Sequence, residues 1–434
     1  MIQALSDGSR QEDVERALAR GDLAAALSGS AALVQQDPRN WDFVALRGAA
    51  LLRAGKAPDA VALMEEAARD PAAPYSITSG LAVCQATAGD LASASTNFAR
   101  ALAQHPDEFS LRLLYSECLA GQGDPDAALR HAFRAIHDAQ ARGRWLNDAT
   151  TPPAWRDRIK LAMDSIDAGR QALFERALAP HIARFGADSM RRVSSALDVY
   201  LGLRAAPAAD PRQRPKFLWM PDLAPTPFFP RERFQWYAAL ETAAADIRAE
   251  LLQVLERPAT LTPFLDVADK AAEEEYLGGD REARAWDAYF FHRHGEAFDA
   301  HLRACPATAA ALSGVPLTRI PGHAPEVLFS VLAPHTHIKP HHGVTNTRVV
   351  THLPLVIPSG DCQLVVGGEA HAWREGHCVT FDDTFLHEAW NRTGERRVVL
   401  ILDTWHPDLT EEERVALADL IVGIGQFNTE AGIN

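Results

Sequence analysis

Gly21, Gly55, Gly89 and Gly123 follow one another at intervals of 34, and five residues after each stands an alanine: Ala26, Ala60, Ala94 and Ala128. The strings GDLAAA, GKAPDA, GDLASA and GDPDAA superpose, and three of the units carry a proline further on, at Pro38, Pro71 and Pro106. Each residue type has a mechanical reason to recur. Glycine permits a tight turn between two helices, alanine lets those helices approach closely, and proline opens the next unit at a helix boundary. The spacing predicts paired helices repeating through residues 1–145. An alanine-rich bundle without repeats would not hold four glycines in one register.

This period resembles the tetratricopeptide repeat, which implies a solenoid whose concave groove takes an extended peptide or a partner surface. Residues 146–214 read as a helical cap and linker: helical character continues but the period is lost. The stretch AAPAADPRQRP at 205–215 has three prolines and no apolar periodicity. A net charge of -14 argues against a nucleic-acid or anionic-membrane partner, because both favour basic surfaces. The five cysteines are scattered and form no CxxC, a pattern that suits reduced thiols. The polar N-terminus lacks an apolar signal-like core, and no apolar run is long enough to span a membrane. The expectation is a soluble, cytoplasmic protein.

The character changes after Pro215. One amphipathic helix is expected over ERFQWYAALETAAADIRAELLQVLE. Beyond residue 325 come the short runs VLFSVL, TRVVTHLPLVI, CQLVVGG, HCVTF and RRVVLILDTW, bounded by turn-forming residues. Such runs predict an antiparallel sandwich or small barrel. The fold expected is therefore multidomain α plus β. An N-terminal α-helical solenoid precedes, over 215–434, a jelly-roll or cupin-like double-stranded β-helix with flanking helices.

Of 17 histidines, ten lie between His323 and His406. His335, His337 and His342 each read alone as solvated loop residues, and His352, amid apolar neighbours in THLPLVI, as a hydrogen-bonded core residue. His341 stands out by context: His387 follows 46 residues later, and Arg397 ten residues after that. Two histidines on separate strands followed by such an arginine resemble the iron(II)/2-oxoglutarate oxygenases. Neutral imidazoles suit Fe(II), and the fork of an arginine matches a carboxylate. The triplet His341-His342-Gly343 lacks the carboxylate that usually completes the metal site.

With that feature, the strings SVLAPHTHIKPHHGVTNTRVVTHLPLVIP, FDDTFLHEAW and RRVVLILDTWHPDLTEEER resemble the aspartyl/asparaginyl β-hydroxylases over about 330–413. The resemblance implies that His341 and His387 ligate iron, that Ser330 and Arg397 hold the far carboxylate of 2-oxoglutarate, and that His352 also touches this cosubstrate. It implies Fe(II), 2-oxoglutarate and dioxygen as cofactor and cosubstrates, with hydroxylation at the β-carbon of Asp or Asn in a peptide or protein. The helical repeats would engage that substrate. A basic residue usual in the family is replaced here by Val350. Arg348 shares its strand parity and is a candidate substrate contact, as are Arg281 and Arg284 before Trp286. Trp390 reads as packing, and Asp383 as shaping the turn before His387. Two alternatives stand beside this reading: a hydroxylase of a free amino acid or other small molecule, and a non-catalytic repeat protein with a degenerate oxygenase domain.

Overall fold

The computed structural model describes residues 2–205, 210–265, 274–279 and 285–433. The chain divides into two compact units, residues 1–172 with 426–434, and residues 173–425. Among the described residues, no helix is long and apolar enough to cross a membrane. All five cysteines are buried free thiols.

The first unit holds four helix pairs: α1 Ile2–Arg20 with α2 Leu23–Gln36, α3 Trp41–Arg53 with α4 Ala57–Ala68, α5 Tyr75–Ala88 with α6 Leu91–Gln104, and α7 Phe109–Gly121 with α8 Pro125–Ala141. The four periodic glycines occupy the turn inside each pair with φ between 72° and 88°, a region that a side chain would strain. Asp22, Asp90 and Asp124 cap α2, α6 and α8, each accepting from a backbone N–H three residues on. Ala26, Ala60 and Ala94 are wholly buried where helices cross. The last residues of the chain also cluster with this unit, although the sequence assigns them to the barrel. Phe427 packs on Phe133 at 5.2 Å between ring centroids, and Glu430 pairs with Arg130.

The second unit is built on two antiparallel sheets. Its strands are β1 Thr262–Pro263, β2 Leu277–Gly278, β3 Trp286–Arg293, β4 Glu296–Ala297, β5 Val327–Leu332, β6 Thr336–His341, β7 Arg348–Val356, β8 Cys362–Val366, β9 Glu369–His371, β10 Val379–Phe381, β11 His387–Asn391 and β12 Arg397–Trp405. One sheet runs β1-β3-β5-β12-β7-β10 with β4 beside β3; the other runs β2-β6-β11-β8-β9. This is the expected jelly-roll architecture.

Alternation along the strands separates two cores. Val327, Phe329, Val349, Leu353, Leu400 and Leu402 pack outward, into one cluster with residues of the helices Ala244–Leu255 and Pro306–Leu312. Leu332, Val350, Val399, Ile338, Leu364 and Ala389 fill the space between the sheets. The same parity turns Ser330, Arg348, His352 and Arg397 inward.

Several expectations are revised. The amphipathic stretch after residue 231 folds as a short 3-10 turn and two helices, Tyr237–Thr242 and Ala244–Leu255. Thr242 Oγ1 bonds back to the Ala238 carbonyl at the break, a contact that bends helices. The described part of the stretch read as linker is built into the second unit. Gln213 Nε2 donates to Asp382 at 2.6 Å, and the Arg214 N–H donates to the Thr384 carbonyl at 2.9 Å.

Candidate active site

His341 and His387 face one another across two hydrogen-bonded strands. They are register partners in the β6–β11 pair, and their ring centroids lie 4.0 Å apart. A β-bulge makes this possible. Between the partners His387↔His341 and Ala389↔Ile338, two steps on β11 oppose three on β6. Ile338 faces the core, so strict alternation would turn His341 away; the extra residue re-aims it beside His387. Each Nδ1 sits against a backbone carbonyl, His341 at 2.8 Å from Lys339 and His387 at 3.1 Å from Phe385. An N–H at Nδ1 satisfies those carbonyls and leaves both Nε2 atoms as free donors of a lone pair. Burial lowers both imidazoles below their usual range, His387 to about 4, and so keeps them neutral at pH 7. The pair fits a divalent metal by donor type, protonation and orientation. Among the described residues, no group of three or more histidine, cysteine or acidic side chains is arranged to hold one.

The other histidines of the stretch are otherwise engaged. His335 lies in an exposed turn at positive φ. His337, expected in a loop, is on β6 and pairs with Glu388 at 2.7 Å. His342 Nδ1 contacts the Thr384 carbonyl at 2.8 Å.

The pair opens on a cavity of about 170 Å³ that is also lined by Ser330, Arg348, His352, Asp383 and Arg397. Arg397 is 1% exposed, and among the described residues no carboxylate pairs with it. Among those residues its partners are Ser330 Oγ, which accepts at 3.4 Å, and the face of Trp373 at 4.7 Å, while Nε has none there. Burial pulls this guanidinium down to about 10. His352 is also buried, and its Nδ1 has no hydrogen-bond partner among the described residues, so it is not the satisfied core residue expected. Burial, then the Arg397 charge, holds its pKa well below 6.5.

Arg348 reaches the same cavity but is already ion-paired, through Nη1 to Asp403 at 3.0 Å and Nη2 to Asp383 at 3.2 Å. Arg281 and Arg284 lie outside the described residues. Val350 is part of the cavity wall. Trp390 donates through Nε1 to Asp361 and packs edge-on against His337.

Asp383 does not shape the turn before β11. Asp382 does, its Oδ1 accepting from Thr384 N at 2.9 Å and Thr384 Oγ1 at 2.6 Å. Asp383 instead occupies the space over Gly343: a Cβ there would lie 2.2 Å from its carboxyl carbon. Gly343→Ala is therefore expected to cost about 1–3 kcal/mol by overpacking. Combining it with Asp383→Ala should cost less than the sum of the two. Chemical denaturation checks this, and strict additivity would show that the two residues do not compete for space.

Sequence reading missed Trp286, whose Nε1 donates to Ser330 Oγ at 2.9 Å and fixes that hydroxyl. The signal was the aromatic run WDAYFFHR, which forms β3.

The model of the family "Aspartyl/Asparaginyl beta-hydroxylase" matches residues 241–407. "Aspartate beta-hydroxylase domain-containing protein 1" of Mus musculus is 34% identical over 258 residues, 57% of this chain and 67% of that protein. The chain belongs to the aspartyl/asparaginyl β-hydroxylase family. Within this hydroxylase family, "Aspartate beta-hydroxylase domain-containing protein 2" of Xenopus tropicalis is 33% identical, over 47% of this chain and 54% of its own. The human "Aspartyl/asparaginyl beta-hydroxylase" is 34% identical over 42% of this chain, which spans 24% of that longer protein. A tetratricopeptide repeat model matches residues 85–147.

Proposed function

We propose that this chain is an Fe(II)- and 2-oxoglutarate-dependent oxygenase that hydroxylates an unactivated C–H bond in a peptide or protein. The names of its relatives support the β-carbon of an aspartyl or asparaginyl residue as the position. The observation that carries the cosubstrate is Arg397, a buried cation with no counter-ion among the described residues, in one cavity with two neutral, facing histidines. Leaving a buried charge unpaired costs several kcal/mol, and an anionic ligand offsets that cost.

His341 and His387 would hold the iron through their Nε2 atoms. Arg397 and Ser330 would bind the far carboxylate of 2-oxoglutarate, with Trp286 orienting the serine hydroxyl. His352, neutral and with an Nδ1 unpartnered among the described residues, would complete the polar lining beside Arg397. Bound there, iron and cosubstrate supply the oxidising chemistry: dioxygen is reduced, 2-oxoglutarate becomes succinate and CO2, and one oxygen atom enters the substrate C–H bond. The apolar walls, among them Leu328, Leu364, Phe381 and Ile401, exclude bulk water from the site. The helical repeats would recruit the peptide or protein that is modified.

Conversion of 2-oxoglutarate to succinate, followed with and without Fe(II), tests the reading. Metal-dependent turnover is the expected outcome. A folded chain that binds 2-oxoglutarate yet never turns it over, with any peptide offered, would instead be the non-catalytic relative.

A further inference from the structure

We propose that the segment 212–218 forms a docking surface beside the cavity for an acidic stretch of the peptide or protein substrate, and that Arg214 and Lys216 hold that stretch. The inference rests on the reading of the cavity as an oxygenase active site.

The segment begins in the stretch that the sequence presents as a linker, and it is tied to both stretches that carry the facing histidines. Gln213 Nε2 donates to Asp382 and to Thr384 Oγ1, and the Arg214 N–H donates to the Thr384 carbonyl, three residues before His387. The Lys216 N–H then donates to the Gly343 carbonyl at 3.2 Å, two residues after His341, and the Phe217 N–H to the Val344 carbonyl at 2.9 Å. Side chains along this strap alternate in exposure. Gln213 is buried, and Pro215 and Phe217 are half-buried, whereas Arg212, Arg214 and Lys216 are exposed.

The three cations are not equivalent. Arg212 is matched by Asp210, 2.6 Å from its Nη2, and lies over the Phe385 ring. Neither Arg214 nor Lys216 meets a carboxylate among the described residues. In a chain of net charge -14, two neighbouring exposed cations without counter-ions reverse the sign of the surface locally. Burial lowers the His341 imidazole and the Lys216 charge acts in the same direction, which puts that ammonium within electrostatic reach of the histidine pair. Of the two arginines lining the cavity, Arg348 is matched by Asp403 and Asp383 with Glu326 as a third carboxylate nearby, and Arg397 is assigned to the cosubstrate. Val344 and Leu386, on the same two histidine-bearing stretches, are exposed apolar side chains. Unpaired cations beside apolar ground fit a peptide that mixes acidic and apolar residues.

Three nonapeptides test it, identical around a central aspartate but with outer residues of glutamate, serine or lysine. Their dissociation constants would be measured by ligand-observed NMR on the whole chain, with 2-oxoglutarate present, at low and at high salt. At low salt the glutamate peptide should bind roughly three- to tenfold tighter than the serine peptide, as two exposed ion pairs allow, with the lysine peptide weakest. The advantage should fade at high salt. Arg214→Gln combined with Lys216→Gln, checked for native circular dichroism, should abolish it. Arg303→Gln, which removes an exposed cation of the helix Asp299–Ala304, is the control and should leave it intact. An advantage that survives the double substitution, or is lost equally in the control, overturns the proposal. So does equal binding of the glutamate and serine peptides by the wild-type chain, or no binding of the glutamate peptide. The oxygenase reading fails separately: a chain that selects the glutamate peptide through Arg214 and Lys216 but neither binds nor consumes 2-oxoglutarate keeps the docking surface and loses the cosubstrate.

Discussion

Arg397→Ala is expected to weaken 2-oxoglutarate binding by roughly 30-fold or more, read by titration of the whole protein. The substitution removes a charge-assisted, bidentate pair worth on the order of 2–5 kcal/mol when the partner charge remains buried, and about 2 kcal/mol already corresponds to 30-fold. The free protein should respond in the opposite direction or hardly at all. Among the described residues, the buried guanidinium has a hydroxyl and an aromatic face for company and no carboxylate. Removing it therefore relieves an uncompensated charge while leaving a cavity. Arg397→Lys should rescue little, because an ammonium cannot reproduce the planar fork. Binding of 2-oxoglutarate by Arg397→Ala at wild-type strength would sink the assignment.

The second large effect is expected from His387→Ala. One of the two protein donors proposed for the metal would be lost, so Fe(II) affinity should fall by roughly 100-fold or more, since even outer partners of metal ligands are worth about 10–100-fold. Metal-dependent succinate formation should drop to background. His335→Ala and His337→Ala serve as controls: the first side chain is exposed in a turn, and the second is committed to Glu388. Iron affinity lost equally in either control would mean that the ligand set is misassigned. A metal titration followed by a paramagnetic or competitive probe separates these outcomes without relying on turnover.

Much of this molecule is local and therefore legible in one dimension. The glycines at intervals of 34 report a backbone requirement, positive φ in a tight turn, which depends on four or five neighbouring residues. The alanines five positions later report how closely two adjacent helices cross. Strands β5, β7, β8, β10 and β12 were announced by β-branched runs between turn residues. Within β7, period-2 alternation also says that Arg348, Val350 and His352 share a face. Family motifs added the roles proposed for those side chains.

Other features arise only when distant segments meet. Alternation places Ile338 and His341 on opposite faces, and it is the bulge forced by pairing β6 with β11 that returns His341 to the cavity. Asp383 looked like a turn former because Asp often is one. Its neighbour Asp382 takes that task, since Gln213 and Thr384 bind it there, and Gly343 leaves room for the Asp383 carboxylate. The three carboxylates around Arg348 come from β12, the segment before β5 and the turn before β11, so no spacing in the sequence announces their shared charge. By itself the sequence determined the repeat, strands β5, β7, β8, β10 and β12, and the family, because each is set by contacts between residues near in the chain or by a linear motif. Only the tertiary structure decided which carboxylate fills the place over Gly343, and which arginine is left without a counter-ion among the described residues, because burial and ion pairing are properties of the space between strands that the chain brings together from far apart.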